Sequence, residues 1–137
     1  MNRVVAQVAL LVRDYDEAIA WYADALGFVL LEDSDLGGGK RWVRIAPAAD
    51  AAFALLLAKA ANERQLGAIG DQHGGRVGWF LHTDDFARDH ARLAAAGARF
   101  DGAPRHEAYG TVVVFTDLYG NRWDLIGPPA GTTANHP

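Results

Sequence analysis

The 137-residue sequence predicts an α+β chain made of two tandem β-α-β-β-β modules. Three observations carry this expectation. An apolar run, Val4–Val12, is followed by Arg13–Asp14 and a helical pattern that stops at Leu26–Gly27–Phe28. The same order returns at Val77–His82, Thr83–Asp84–Asp85 and Ala96–Gly97–Ala98. After each helix come short alternating runs separated by turn residues, which is how half-buried strands read.

The first module spans about residues 4–61. Asp14 and Glu17 have the spacing of a helix-capping pair, with Asp14 as N-cap. Ala18, Ile19, Tyr22, Ala25 and Leu26 recur on one helical face, and Gly27 ends the helix. Phe28–Asp33, Arg41–Ala46 and Ala52–Ala58 read as strands, with Gly37–Gly38–Gly39 between the first two. Three glycines ahead of Lys40 suggest a phosphate loop. That reading fails because no helix N-terminus follows to offer its free N–H groups.

Residues 62–76 are polar and carry Gly67, Gly70, Gly74 and Gly75, so they read as a linker with one short helical turn. The second module spans about residues 77–127. Its helix presents Phe86, His90, Leu93 and Gly97 along one stripe. Phe100, the Arg105–Ala108 stretch, Thr111–Thr116 and Arg122–Ile126 supply its strands, and Tyr119–Gly120–Asn121 is a tight turn. The tail, residues 128–137, is expected to fray. Neither module alone looks able to cover its sheet, so residues 1–137 are read as a single domain.

Half of the residues are apolar and 22% are charged, the balance of an ordinary globular chain. A net charge of −4 with no lysine or arginine run argues against nucleic acid or an anionic membrane as partner. With no cysteine, disulfides, thiolate nucleophiles and cysteine-bound metals are excluded. Val4–Val12 is too short for a signal peptide and no segment could span a bilayer, so a cytoplasmic location is expected.

Three stretches are more specific: VALLVRDYDEAIAWYADALGF from Val8, GWFLHTDDFARDHARLAAAG from Gly78, and FTDLYGNRWDLI from Phe115. Together they resemble the vicinal-oxygen-chelate superfamily, which includes glyoxalase I, extradiol dioxygenases, fosfomycin-resistance enzymes and bleomycin-binding proteins. The resemblance covers about residues 4–127. It implies two βαβββ modules forming a curved mixed sheet around a cavity, and a homodimer. Metal-using members place one ligand on the first strand and one on the last strand of each half. In this sequence those positions fall on Gln7, Gly78 and Asp124, while the matching first-half strand, residues 51–58, has no Asp, Glu, His or Gln. Two of four donors are missing where a catalytic ion wants at least about three. The expectation is therefore no cofactor, and no metal ligands.

Strand alternation then selects candidates for the cavity. Gly78, Phe80 and His82 share a face, and His82 lies roughly 13 Å along from the ligand position. His82 and Glu107 are the candidate catalytic groups, able to move protons near neutral pH. Gln7, Leu11, Trp42, Phe80, Tyr109 and Asp124 are the candidate substrate-binding residues. Trp42 offers a flat aromatic wall, and Tyr109 would orient a substrate near Glu107. Asp124 needs a partner if buried, and Arg122 on the same face is the expected one. Arg41 and Arg44 should point to opposite faces. Trp79, Trp123 and His90 are read as packing residues, and His73 and His136 are given no role.

The favoured function is a metal-free protein that binds a small organic molecule, cationic or neutral given the acidic balance. The alternatives are a metal-free isomerase or lyase using His82 and Glu107, and a residual metalloenzyme. The latter, glyoxalase- or dioxygenase-like, would use Gln7 and Asp124 with Glu107 or His82.

Overall fold

A computed structural model describes residues 1–129; the expected tail from residue 130 on, with His136, lies outside the described residues. The chain falls into two compact units that meet between Ile69 and Gly70, inside the expected linker. In the first unit the order is β1 (Gln7–Val12), α1 (Tyr15–Leu26), β2 (Val29–Gly37), β3 (Lys40–Ala46), β4 (Ala54–Lys59) and α2 (Glu63–Ala68). The second holds β5 (Trp79–His82), α3 (Phe86–Ala95), β6 (Arg99–Glu107), β7 (Gly110–Thr116) and β8 (Arg122–Gly127). Each unit is therefore β-α-β-β-β, as predicted, with α2 appended to the first.

The two sheets repeat one topology. The first has strand order β1-β4-β3-β2 and the second β5-β8-β7-β6. In each, the first and last strands pair in parallel and the remaining ladders are antiparallel. The parallel pairing requires a crossover, and the helix after the first strand supplies it.

Helix ends follow from their residues. The Asp14 carboxylate accepts the Glu17 N–H at 2.8 Å, and the Asp85 carboxylate accepts the Arg88 N–H at 3.1 Å. Glu17 turns outward to pair with Arg13 at 2.7 Å. At the far end of α1, Gly27 has φ +67°, and the N–H groups of Gly27 and Phe28 return to the carbonyls of Ala23 and Tyr22. Gly97, with φ +79°, sits just past α3, where Ala98 donates back to Leu93.

One face of each sheet is dry. Leu10, Val12, Val43, Ile45, Leu55 and Leu57 are buried with Ala18, Tyr22 and Ala25 of α1. In the second unit Trp79, Trp123, Phe115 and Leu125 are buried with Leu93 of α3. Trp79 stacks on Trp123 at 5.7 Å and Trp123 on Phe115 at 5.8 Å, while His90 lies between Phe86 and Phe100. Trp79 and Trp123 thus pack as read from alternation, and His90 as read from its place on the helical stripe.

Several strand boundaries differ from the sequence reading. β1 begins at Gln7, because Val4 and Val5 have no strand partner among the described residues and are 75% exposed. β2 and β3 extend up to the glycine run, whose three residues all take positive φ and make a tight hairpin. β6 is one strand, with a register break between Asp101 and Arg105 beside Gly102 at φ +86°. The short helical turn expected in the linker is α2, where Asn62 accepts the Gln65 N–H and the Gln65 carboxamide accepts the Ala61 N–H.

A β-branched side chain is strained at the positive φ of Gly27 and Gly97. We expect Gly27→Val and Gly97→Val each to lower stability by about 1–3 kcal/mol in urea titrations. Unchanged midpoints would contradict the helix ends described above.

Candidate functional site

Directly paired residues of neighbouring strands share a face, so the register lists what stands on the side no helix covers. In the first unit these are Gln7, Ala9 and Leu11 of β1, Leu56 and Ala58 of β4, and Trp42 and Arg44 of β3. In the second they include Phe80 and His82 of β5, Asp124 and Ile126 of β8, Val112 and Val114 of β7, and Arg105 and Glu107 of β6.

The parallel ladders of the two units correspond where both are paired. Ala9 pairs with Leu56 as Phe80 pairs with Asp124. Leu56 therefore stands where the second unit has Asp124, and Gln7 where it has Gly78. The Gln7 carboxamide oxygen accepts the Arg44 Nε–H at 3.1 Å, and Arg44 also reaches Glu32 at 3.5 Å. Gly78 has no room for a side chain: a Cβ there would overlap the imidazole of His73, which is held edge-on against Trp79 at 4.4 Å. Sequence reading gave His73 no role, since its contact comes from the fold of the linker. Among the described residues, no three His, Cys, Asp or Glu side chains converge as metal ligands would.

Asp124 differs from its expected pairing. The Arg122 guanidinium, expected beside it, instead donates to Asp101 at 2.9 Å, and Arg105 pairs with Glu107 at 3.4 Å. Asp124 Oδ1 is buried with no hydrogen-bond partner. Burial pushes the Asp124 carboxyl above its usual range, against the pull of the Arg105 and Arg122 charges. On that face Phe80, Val114 and Ile126 are its apolar neighbours and Arg122 is a charged one, and Phe80 is 59% exposed.

The other candidates are dispersed. His82 lies on edge strand β5 and Glu107 on the opposite edge, β6. Three interstrand steps, about 14 Å, separate those edges. Tyr109 is at the tip of the β6–β7 hairpin and 62% exposed. Leu11 lines the face of β1 beside Ala58. Trp42 shares its face with Arg44, whereas Arg41 points the other way, as alternation predicts. Arg41 grips Asp33 through two bonds of 2.7 and 3.1 Å, reaches Asp16 at 3.0 Å and lies over the Tyr15 ring. Those hydrogen bonds hold the Asp33 carboxyl below its usual range.

The family model of the Glyoxalase/Bleomycin resistance protein/Dioxygenase superfamily matches residues 4–125. An uncharacterized protein of Shewanella frigidimarina is 47% identical over 127 residues, covering 92% of this chain and 94% of its own. The crystal structure of TnmS3, an antibiotic binding protein from Streptomyces sp. CB03234, matches with TM-score 0.75 and 31% identity, covering 93% and 97% of the two chains. That of UcmS2 matches with TM-score 0.78 and 28% identity, covering 92% and 98%. No helix among the described residues is long and apolar enough to cross a membrane.

Two expectations follow. The folded-state pKa of Asp124 lies above its unfolded value, so its contribution is favourable below that value and lost as pH rises through the raised one. Asp124→Asn should therefore be more stable than the parent at neutral pH, by about 1 kcal/mol or less. The difference should shrink as pH falls toward 3.8, measured by thermal melts across pH. His82→Ala should leave stability within about 0.5 kcal/mol, because the side chain is exposed; a larger loss in the same melts would make His82 a structural residue.

Proposed function

We propose a function from the premise that the chain belongs to the Glyoxalase/Bleomycin resistance protein/Dioxygenase superfamily: it binds a small organic molecule, without a metal, on sheet faces that no helix covers. The observation that carries this is the Asp124 carboxylate oxygen, buried without a hydrogen-bond partner beside Phe80, Val114, Ile126 and Arg122. A buried polar atom left unsatisfied costs about 1–3 kcal/mol. A ligand with an N–H or O–H donor and an apolar body would remove that cost while covering Phe80. The likeness to TnmS3, an antibiotic binding protein, supports the same class of ligand.

The donor set does not fit a divalent cation. Leu56 and Gly78 offer no donor atom, and the Gln7 oxygen is held by the Arg44 guanidinium. Asp124 feels two further guanidiniums, which compete with any cation for its charge. We derive no step through a metal. Nor do His82 and Glu107, at opposite edges of one sheet, make a proton-transfer pair within it. The homodimer implied by the family belongs to this reading as well.

The test is a thermal-shift and calorimetric panel of polycyclic antibiotics carrying amine or hydroxyl donors, with elemental mass spectrometry of the purified protein. We expect at least one compound to raise the Tm by several degrees, with the shift lost in Asp124→Ala and Phe80→Ala. One tightly held equivalent of metal, or binding indifferent to both variants, would overturn the reading. Light scattering should give a mass near twice 14.8 kDa.

A further inference from the structure

The ladder between the third and fourth strands differs between the two sheets. β7 and β8 pair at six positions, from Thr111 opposite Gly127 to Thr116 opposite Arg122. β3 and β4 pair only at Val43–Leu57, Arg44–Leu56 and Ile45–Leu55. The positions matching Thr111–Gly127 and Val112–Ile126 are Arg41–Lys59 and Trp42–Ala58, and these are unpaired.

The residues account for the difference. The closed end of the β7–β8 ladder needs glycine. A Cβ on Gly127 would stand 2.6 Å from the Cβ of Phe86, and a Cβ on Gly110 would overlap the carbonyl oxygen of Gly127. The matching first-unit residues are Lys59 and Lys40, which carry long side chains. Tyr15 stands where the second unit has Phe86, each the first residue of its helix after an aspartate cap. Its hydroxyl accepts the Arg41 N–H at 3.2 Å, so the backbone group of the splayed strand is satisfied without β4.

The splay leaves a groove of about 540 Å³ confined to the first unit. Trp42, Leu56 and Ala58 give it apolar surface, and Gln65 of α2 closes one side. Lys40 and Lys59 line it as well, and no Asp or Glu does. Neither lysine has an ion-pair partner among the described residues, whereas Arg41 is committed to Asp33 and Asp16. A chain of net charge −4 thus carries one groove whose free charges are both positive.

We propose that this groove is a binding site for a planar aromatic molecule bearing an anionic group, stacked on Trp42 with its anion between Lys40 and Lys59. It lies in the other unit from Asp124, and it takes the opposite charge from the ligand that the overall balance suggests. The volume suits a molecule of two or three fused rings, well within the usual range of about 300–1,000 Å³ for ligand pockets.

The experiment uses two fluorescent probes of similar shape, anilinonaphthalene sulfonate and its uncharged relative phenylnaphthylamine, titrated into the full chain. We expect the sulfonate to bind and added salt to weaken it. The double variant Lys40→Gln/Lys59→Gln should weaken the sulfonate roughly three- to tenfold and leave the neutral probe unchanged. Trp42→Ala should weaken both probes by about tenfold or more. Circular dichroism of each variant separates these losses from unfolding, and the lysine pair, both exposed, keeps the test valid if Trp42→Ala does not fold. Absence of sulfonate binding, or binding indifferent to the lysine pair, would overturn the groove. Sulfonate binding abolished by Asp124→Ala instead would overturn it while leaving the proposed function standing.

Discussion

A four-stranded sheet covered by one helix has one dry face and one face left over, and the rest of this structure depends on that constraint. The helix is a crossover, forced by the parallel pairing of the first and last strands, so it lies over one side only. Apolar residues on that side are spent on Leu10, Val43, Leu57 and their counterparts Trp79, Phe115 and Leu125. What remains for recognition is the alternate set, every second residue of each strand. Candidate ligand contacts are therefore drawn from positions that the core does not need.

Duplication gives this arrangement twice, and the copies have diverged on the uncovered side more than on the covered one. Buried apolar pairs recur at matching positions, such as Leu55–Ile45 and Trp123–Phe115. On the other face Leu56 matches Asp124, Leu11 matches His82, and Ala9 matches Phe80. Burial restrains the first group through packing. The second group lies outside that packed core, so its chemistry is free to differ between copies.

Much of the fold was legible because its signals are local. Aspartate caps three residues ahead of an N–H, glycines after an apolar helical stripe, and period-two alternation all lie within one element. Alternation alone placed Trp79 and Trp123 in the core and separated Arg41 from Arg44. The asparagine and glutamine that cap α2 have the same local spacing, Asn62 and Gln65, so that helix was readable too. The site was less legible because its pairings cross the chain. Arg44 meets Gln7 across 37 positions and Arg122 meets Asp101 across 21, so sequence proximity named the wrong partner for Asp124. His73 reaches Gly78 only through the course of the linker.

The glycine-tight ladder of the second unit also bears on how such a chain changes over generations. Positions 110 and 127 admit no side chain without displacing backbone or the first turn of a helix. Their counterparts, Lys40 and Lys59, already carry long side chains and border open space. The second unit is thereby held to a narrow alphabet at its hinge of closure, and the first is permissive. The same fold thus tolerates substitution unequally in its two halves: side chains can be exchanged at the open end of the first ladder, where the second admits glycine alone.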